Sequence, residues 1–121
     1  MYNILFYEDL HGESSLKTYI RTLRKRAKTD KSARIEFNKI VAYISMLQEQ
    51  GLSLGMPYIK HLQGPLWELR PIDNRIFFAA YSTEGFVLLH AFRKSTRKTP
   101  PREIEQALKE YTEFTSAKGS L

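Results

Sequence analysis

The chain has 121 residues, 42 % of them apolar and 12 % aromatic, which is enough for a packed core and argues against disorder. It has no cysteine, which excludes a disulfide scaffold, thiolate zinc sites and cysteine nucleophiles. Lys and Arg number 19 against 13 Asp and Glu, giving a net charge of +6 and a pI near 9.6. That balance suits a protein that meets polyanions, or simply a basic soluble one.

Tyr2 to Tyr7 is β-branched and aromatic and reads as a short strand, with a turn at Glu8–Gly12. Ser14 or Ser15 caps a helix whose apolar stripe is Leu16, Tyr19, Ile20, Leu23 and Ala27. Thr29–Ser32 breaks the chain before a second helix with the stripe Ala33, Phe37, Ile40, Val41, Ile44 and Leu47, closed by Gly51. Leu52 to Pro65 reads as irregular. Leu66–Arg70, Arg75–Tyr81 and Phe86–Arg93 follow as three strands, with Trp67 and Leu69 turned to the core. Loops of about four residues join them, too short for a parallel crossover, so they form an antiparallel meander. Arg93–Lys98 is a basic loop, Thr99 caps the last helix with Pro100 at its first position, and Ile104, Ala107, Leu108 and Tyr111 make its stripe. The order is β-α-α-β-β-β-α in one domain over 1–121, an α+β fold whose mostly antiparallel sheet packs on helices, with residues 115–121 frayed. The helices are expected on one face of the sheet, leaving the face with Glu68, Arg70 and Arg75 open. No apolar run approaches the ~18 residues of a membrane span. The N-terminus turns acidic too soon for a signal peptide, so a soluble cytoplasmic protein is expected.

There is no glycine-rich phosphate loop, and His11, His61 and His90 lack metal-ligand spacing, so neither cofactor nor metal is expected. The polar strand residues say more. Glu68 and Arg70 share one strand face, and Arg75 opens the next strand across a short turn. Lys94, Arg97 and Lys98 follow the last strand. One carboxylate among guanidinium and ammonium groups suits phosphodiester chemistry, because arginine grips phosphate oxygens and fixed cations stabilise charge developing at phosphorus. The same residues also read as an ordinary cross-strand ion pair, and His90 as a core histidine. The run Arg93–Lys98 precedes a helix N-terminus, which itself favours anions.

Tyr58-Ile59-Lys60-His61-Leu62, Leu66-Trp67-Glu68-Leu69-Arg70-Pro71, Arg75-Ile76-Phe77-Phe78, Leu88-Leu89-His90-Ala91-Phe92-Arg93-Lys94 and Arg97-Lys98-Thr99-Pro100 occur in this order. Together they resemble the phage-derived, HigB-like branch of the RelE superfamily of toxins, over most of the chain. The resemblance implies a microbial-ribonuclease-like α+β fold and a type II toxin that enters the ribosomal A site and cleaves translated mRNA without a metal. It implies a neutralising, HigA-like helix-turn-helix antitoxin, through which the complex would reach operator DNA. It also implies roles for single residues. Arg75 would stabilise the pentavalent phosphorane, Glu68 would be the general base, and Arg70 would hold phosphate. Lys94, His90 and His61 are open as the general acid. Lys60, His61, Arg93, Arg97 and Lys98 would contact RNA. A noncatalytic binding module acting through an antitoxin complex is the alternative.

Overall fold

The computed structural model describes residues 1–119. Its elements are β1 (Asn3–Phe6), α1 (Ser15–Arg26), α2 (Lys31–Gln50), β2 (Ile59–Gln63), β3 (Leu66–Leu69), β4 (Asn74–Ser82), β5 (Gly85–Arg93) and α3 (Pro101–Gly119), with a 3₁₀ turn at Gly51–Leu54. The α+β reading holds, with one strand more than expected. Ile59–Gln63 is not irregular: β2 pairs antiparallel with β3 across the tight Gly64–Pro65 turn. The sheet order is β1-β5-β4-β3-β2, antiparallel except for β1 beside β5.

Local chemistry sets the helix limits. The Ser14 hydroxyl accepts from the Lys17 amide at 3.1 Å, and the Asp30 carboxylate accepts from the Ser32 and Ala33 amides at 2.9 and 3.3 Å. Leu16, Leu23, Ala33, Ile40 and Leu47 then bury the hairpin of α1 and α2 against Ile59, Leu69, Ile76, Phe78 and Leu88. Val41, expected in that stripe, is 44 % exposed. It joins Phe6, Ile20 and Phe37 in a shallow surface groove instead.

The opposite sheet face is not open along its length. Ala107, Ile104, Leu108, Tyr111 and Phe114 of α3 pack there on Leu66, Phe77, Ala79, Val87 and Leu89. The expectation of one bare face fails because α3 carries an apolar stripe of its own and the first face is already filled. Residues 115–119, expected to fray, continue α3, while Ser120 and Leu121 lie outside the described residues. Among the described residues, no helix is long and apolar enough to cross a membrane.

The sheet departs from a regular ladder in three places, between His61 and Gln63, between Ile76 and Phe78, and between Ala80 and Ser82. Phe77 on β4 faces both Leu89 and His90 on β5, since the register runs from Ile76↔Ala91 to Phe78↔Leu88, a bulge that re-aims His90. At the other end of β5, Gly85 sits beside β1. A Cβ there would stand 2.8 Å from the Asn3 carbonyl and 2.5 Å from the Tyr81 hydroxyl. The carbonyl belongs to the strand pairing and cannot step aside. Gly85→Ala therefore destabilises by about 1–3 kcal/mol, the range for overpacking. Thermal melting should show a midpoint lower by several degrees, and an unchanged midpoint would contradict the pairing of Gly85 with Asn3.

Candidate active site

Three strands and the start of α3 bring the polar residues together. Glu68 on β3 pairs with Lys60 on β2 and with Phe77 on β4. Strand alternation puts Glu68, Arg70 and Arg75 on the α3 side of the sheet, as their spacing requires. Glu68 is only 1 % exposed. One of its oxygens lies 3.5 Å from Arg70 Nε and 3.9 Å from Arg75 Nε. The other accepts a hydrogen bond of 3.1 Å from the Thr99 hydroxyl. Thr99 was expected to cap α3. The helix instead starts at Pro101, with the Pro100 carbonyl accepting from the Glu103 amide at 3.0 Å, and the Thr99 side chain is turned to the sheet.

Arg75 is held from behind. Its Nη1 donates to the Ile72 carbonyl at 2.7 Å and to the Asn74 carbonyl at 2.8 Å. The Nε atoms of Arg70 and Arg75 are buried without a hydrogen bond inside the chain. Both Nε atoms face the same Glu68 oxygen at ion-pair rather than hydrogen-bond distance, so the carboxylate meets their charge although no hydrogen bond forms. Lys94 follows β5, half-buried, its amide donating to the Asp73 carbonyl at 2.7 Å. Its ammonium is pushed below the usual lysine value by burial first, then by Arg75 and Arg70, with Lys60 adding and Glu68 opposing. Burial and then Arg70 likewise lower Arg75, against Glu68 and Asp73. Lys60, Arg70, Arg75 and Lys94 are thus close enough to act on one another around Glu68, with Asp73 also acting on Arg75. The excess is positive, and it is partly desolvated, where charge acts most strongly.

The other expected residues are placed differently. Lys60, Arg93, Arg97 and Lys98 are exposed. Arg93 pairs with Glu36 of α2 and lies 3.8 Å from Asp73. His61 is on the opposite strand face from Lys60, its ring 5.0 Å from Trp67 and its Nε2 at 2.9 Å from the Gly64 carbonyl. His90 is buried beneath α3, with Nδ1 at 2.7 Å from Glu110 and Nε2 at 3.2 Å from Glu103. Burial lowers the affinity of His90 for a proton, but the hydrogen bond and charge of Glu110, then of Glu103, outweigh it and raise its pKa above the usual 6.5. A raised folded-state value stabilises the fold fully below the unfolded value, and the gain is lost as pH rises through the folded value. His90→Gln should therefore lower the urea midpoint more at about pH 5.5 than at about pH 8.5. An equal loss at both would show that His90 is not charged in its clasp.

Sequence reasoning missed Thr99 and Asn74. Thr99 carried the signal of a helix cap, and Asn74 that of a turn. Among the described residues, no group of three or more His, Asp or Glu could hold a metal ion. Residues 18–112 match the model of the family described as Phage derived protein Gp49-like (DUF891). No curated protein matches the chain.

Proposed function

The chain belongs to the phage-derived Gp49-like family, and we propose that it is the toxin of a type II toxin–antitoxin pair, an endoribonuclease that cuts mRNA as it is translated. The family description accords with the phage-derived HigB-like branch that the motifs resemble. The observation that carries the reading is the buried Glu68 carboxylate with Arg70 Nε at 3.5 Å and Arg75 Nε at 3.9 Å, a pair of guanidiniums gathered on one carboxylate.

In this reading the ribose 2′-oxygen attacks the adjacent phosphorus. The bond to the 5′-oxygen breaks, leaving a 2′,3′-cyclic phosphate and a 5′-hydroxyl. Arg75 and Arg70 take the charge that builds on the non-bridging oxygens. Lys94, with its proton affinity lowered, accepts the 2′-proton and returns it to the departing 5′-oxygen. Glu68 was the sequence candidate for that base. Its 1 % exposure and three partners suit it better to fixing the arginines than to meeting a ribose hydroxyl. His90 is occupied by Glu103 and Glu110, and His61 lies on the strand face away from Glu68, so this reading makes Lys94 the proton carrier. Lys60, Arg97 and Lys98 line the approach for the RNA backbone. The working place is the ribosomal A site in the cytoplasm, and the partner is a helix-turn-helix antitoxin, through whose complex operator DNA would be reached.

A noncatalytic binding role has its own supporting feature. Arg21, Arg24 and Lys17 of α1 rim an apolar groove of about 270 Å³ floored by Phe6, Ile20, Phe37 and Val41, fit for a protein side chain. Inducible expression in a bacterium, with primer extension on a translated mRNA, decides between them. Growth arrest with cuts inside the reading frame supports the ribonuclease. Soluble, folded protein with neither effect supports the binding role.

A further inference from the structure

The turn Pro71–Asn74 does more than connect β3 to β4. Three of its carbonyls face the candidate chemistry. Those of Ile72 and Asn74 accept from the Arg75 guanidinium, and that of Asp73 accepts from the Lys94 amide. Ile72 has φ +57°, the left-handed region that a β-branched residue rarely occupies. Such a conformation persists only where the surroundings over-determine it. The surroundings here are visible. Asn74 is 1 % exposed. Its Oδ1 accepts from the Tyr19 hydroxyl of α1 at 2.5 Å, and its Nδ2 donates to Glu36 of α2 at 3.2 Å. The same Glu36 oxygen receives Arg93 at the end of β5.

We propose that this turn is a clamp for the site, and that Asn74 is the positioning residue that fastens it to both helices of the hairpin. Side-chain bonds from α1 and α2 hold Asn74. Asn74 holds the turn, and the turn's carbonyls fix the Arg75 guanidinium and the start of the Lys94 loop. An arginine fork held from behind loses little further freedom when a phosphate arrives. The reach of the clamp is therefore from the α1/α2 side of the sheet to the chemistry on the other side, through one buried amide. The catalytic consequence rests on the ribonuclease reading; the mechanical one does not.

The test uses the full chain and two readouts. The first is the ¹⁵N heteronuclear NOE of the Arg75 Nε–H group, which reports whether the guanidinium is fixed. The second is single-turnover cleavage of mRNA on programmed ribosomes at varied toxin concentration. In the wild type the Arg75 signal should be as rigid as the backbone, unlike that of exposed Arg97. Asn74→Ala should bring it toward the exposed arginines and slow cleavage about tenfold, with the half-saturating concentration little changed. Tyr19→Phe removes one hydroxyl and spares the packing, so it covers the case in which the alanine variant unfolds. It should loosen the signal partly and slow cleavage a few-fold. Ile72→Pro forbids the left-handed backbone and should free Arg75 as Asn74→Ala does. An Arg75 signal equally rigid in Asn74→Ala and Tyr19→Phe overturns the clamp. So does slower cleavage with the signal unchanged, which would mark a merely structural loss. If the wild type cleaves nothing, the ribonuclease reading fails, and the NOE still decides the clamp.

Discussion

Arg75→Ala should reduce mRNA cleavage by about 10²–10³-fold and abolish growth arrest, the range for removing one preorganised donor from a developing anion. The expectation rests on placement. Arg75 is 9 % exposed and fixed by the Ile72 and Asn74 carbonyls, with its Nε 3.9 Å from the Glu68 carboxylate. Its orientation is set before substrate arrives. Alanine also removes the donor to the buried Asn74 carbonyl, at about 1–3 kcal/mol of stability. Lost activity alone would thus be ambiguous. Arg75→Lys resolves it. Lysine keeps the charge beside Glu68 and loses the planar fork, so it should fold nearly as well and still cleave poorly. Circular dichroism melts beside primer extension report both. Full toxicity of a folded Arg75→Ala protein would remove Arg75 from the site.

Much of the fold was readable because local rules and tertiary structure agree. Ser14 and Asp30 cap the helices their patterns announce, and the stripes of α1 and α2 face the sheet, Val41 excepted. Glu68, Arg70 and Arg75 come together because period-two alternation and a short turn leave them little choice. The failures have equally specific causes. β2 is an edge strand with only Ile59 fully buried, so no clean alternation marks it. Its best signal was the glycine-led two-residue turn at Gly64–Pro65. The bulge at His90 cannot be read from an unbroken apolar run. Thr99 and Asn74 each obey a local signal while serving a distant partner. Asn74 meets Tyr19 and Glu36 across 55 and 38 positions of chain, which no local pattern carries. The meeting of Glu68, Arg70 and Arg75 was legible, but the contacts that hold them in place were not.

Glu68→Gln separates two mechanisms that share the same residues. The amide fills the same space, and its oxygen can still accept from Thr99, but the charge between Arg70 and Arg75 is gone. Removing one partner of a buried pair destabilises by about 3–5 kcal/mol, and Arg70, 20 % exposed, keeps enough water to place the effect at the low end. Urea unfolding measures it. The pH dependence of cleavage then assigns the base. Glu68 now raises the proton affinity of Lys94 against burial, Arg75 and Arg70. Without that carboxylate Lys94 loses its proton more readily. If Lys94 is the base, the rising limb of the rate profile should move to lower pH in Glu68→Gln while the plateau falls only modestly, as the arginines lose their alignment. If Glu68 is the base, the plateau should fall by about 10²–10⁴-fold, the usual contribution of a positioned base, and that limb should vanish. The burial of Glu68 under three partners favours the first outcome. A carboxylate so enclosed can aim two guanidiniums at a phosphate, but it cannot reach a ribose hydroxyl unless the ion pairs open.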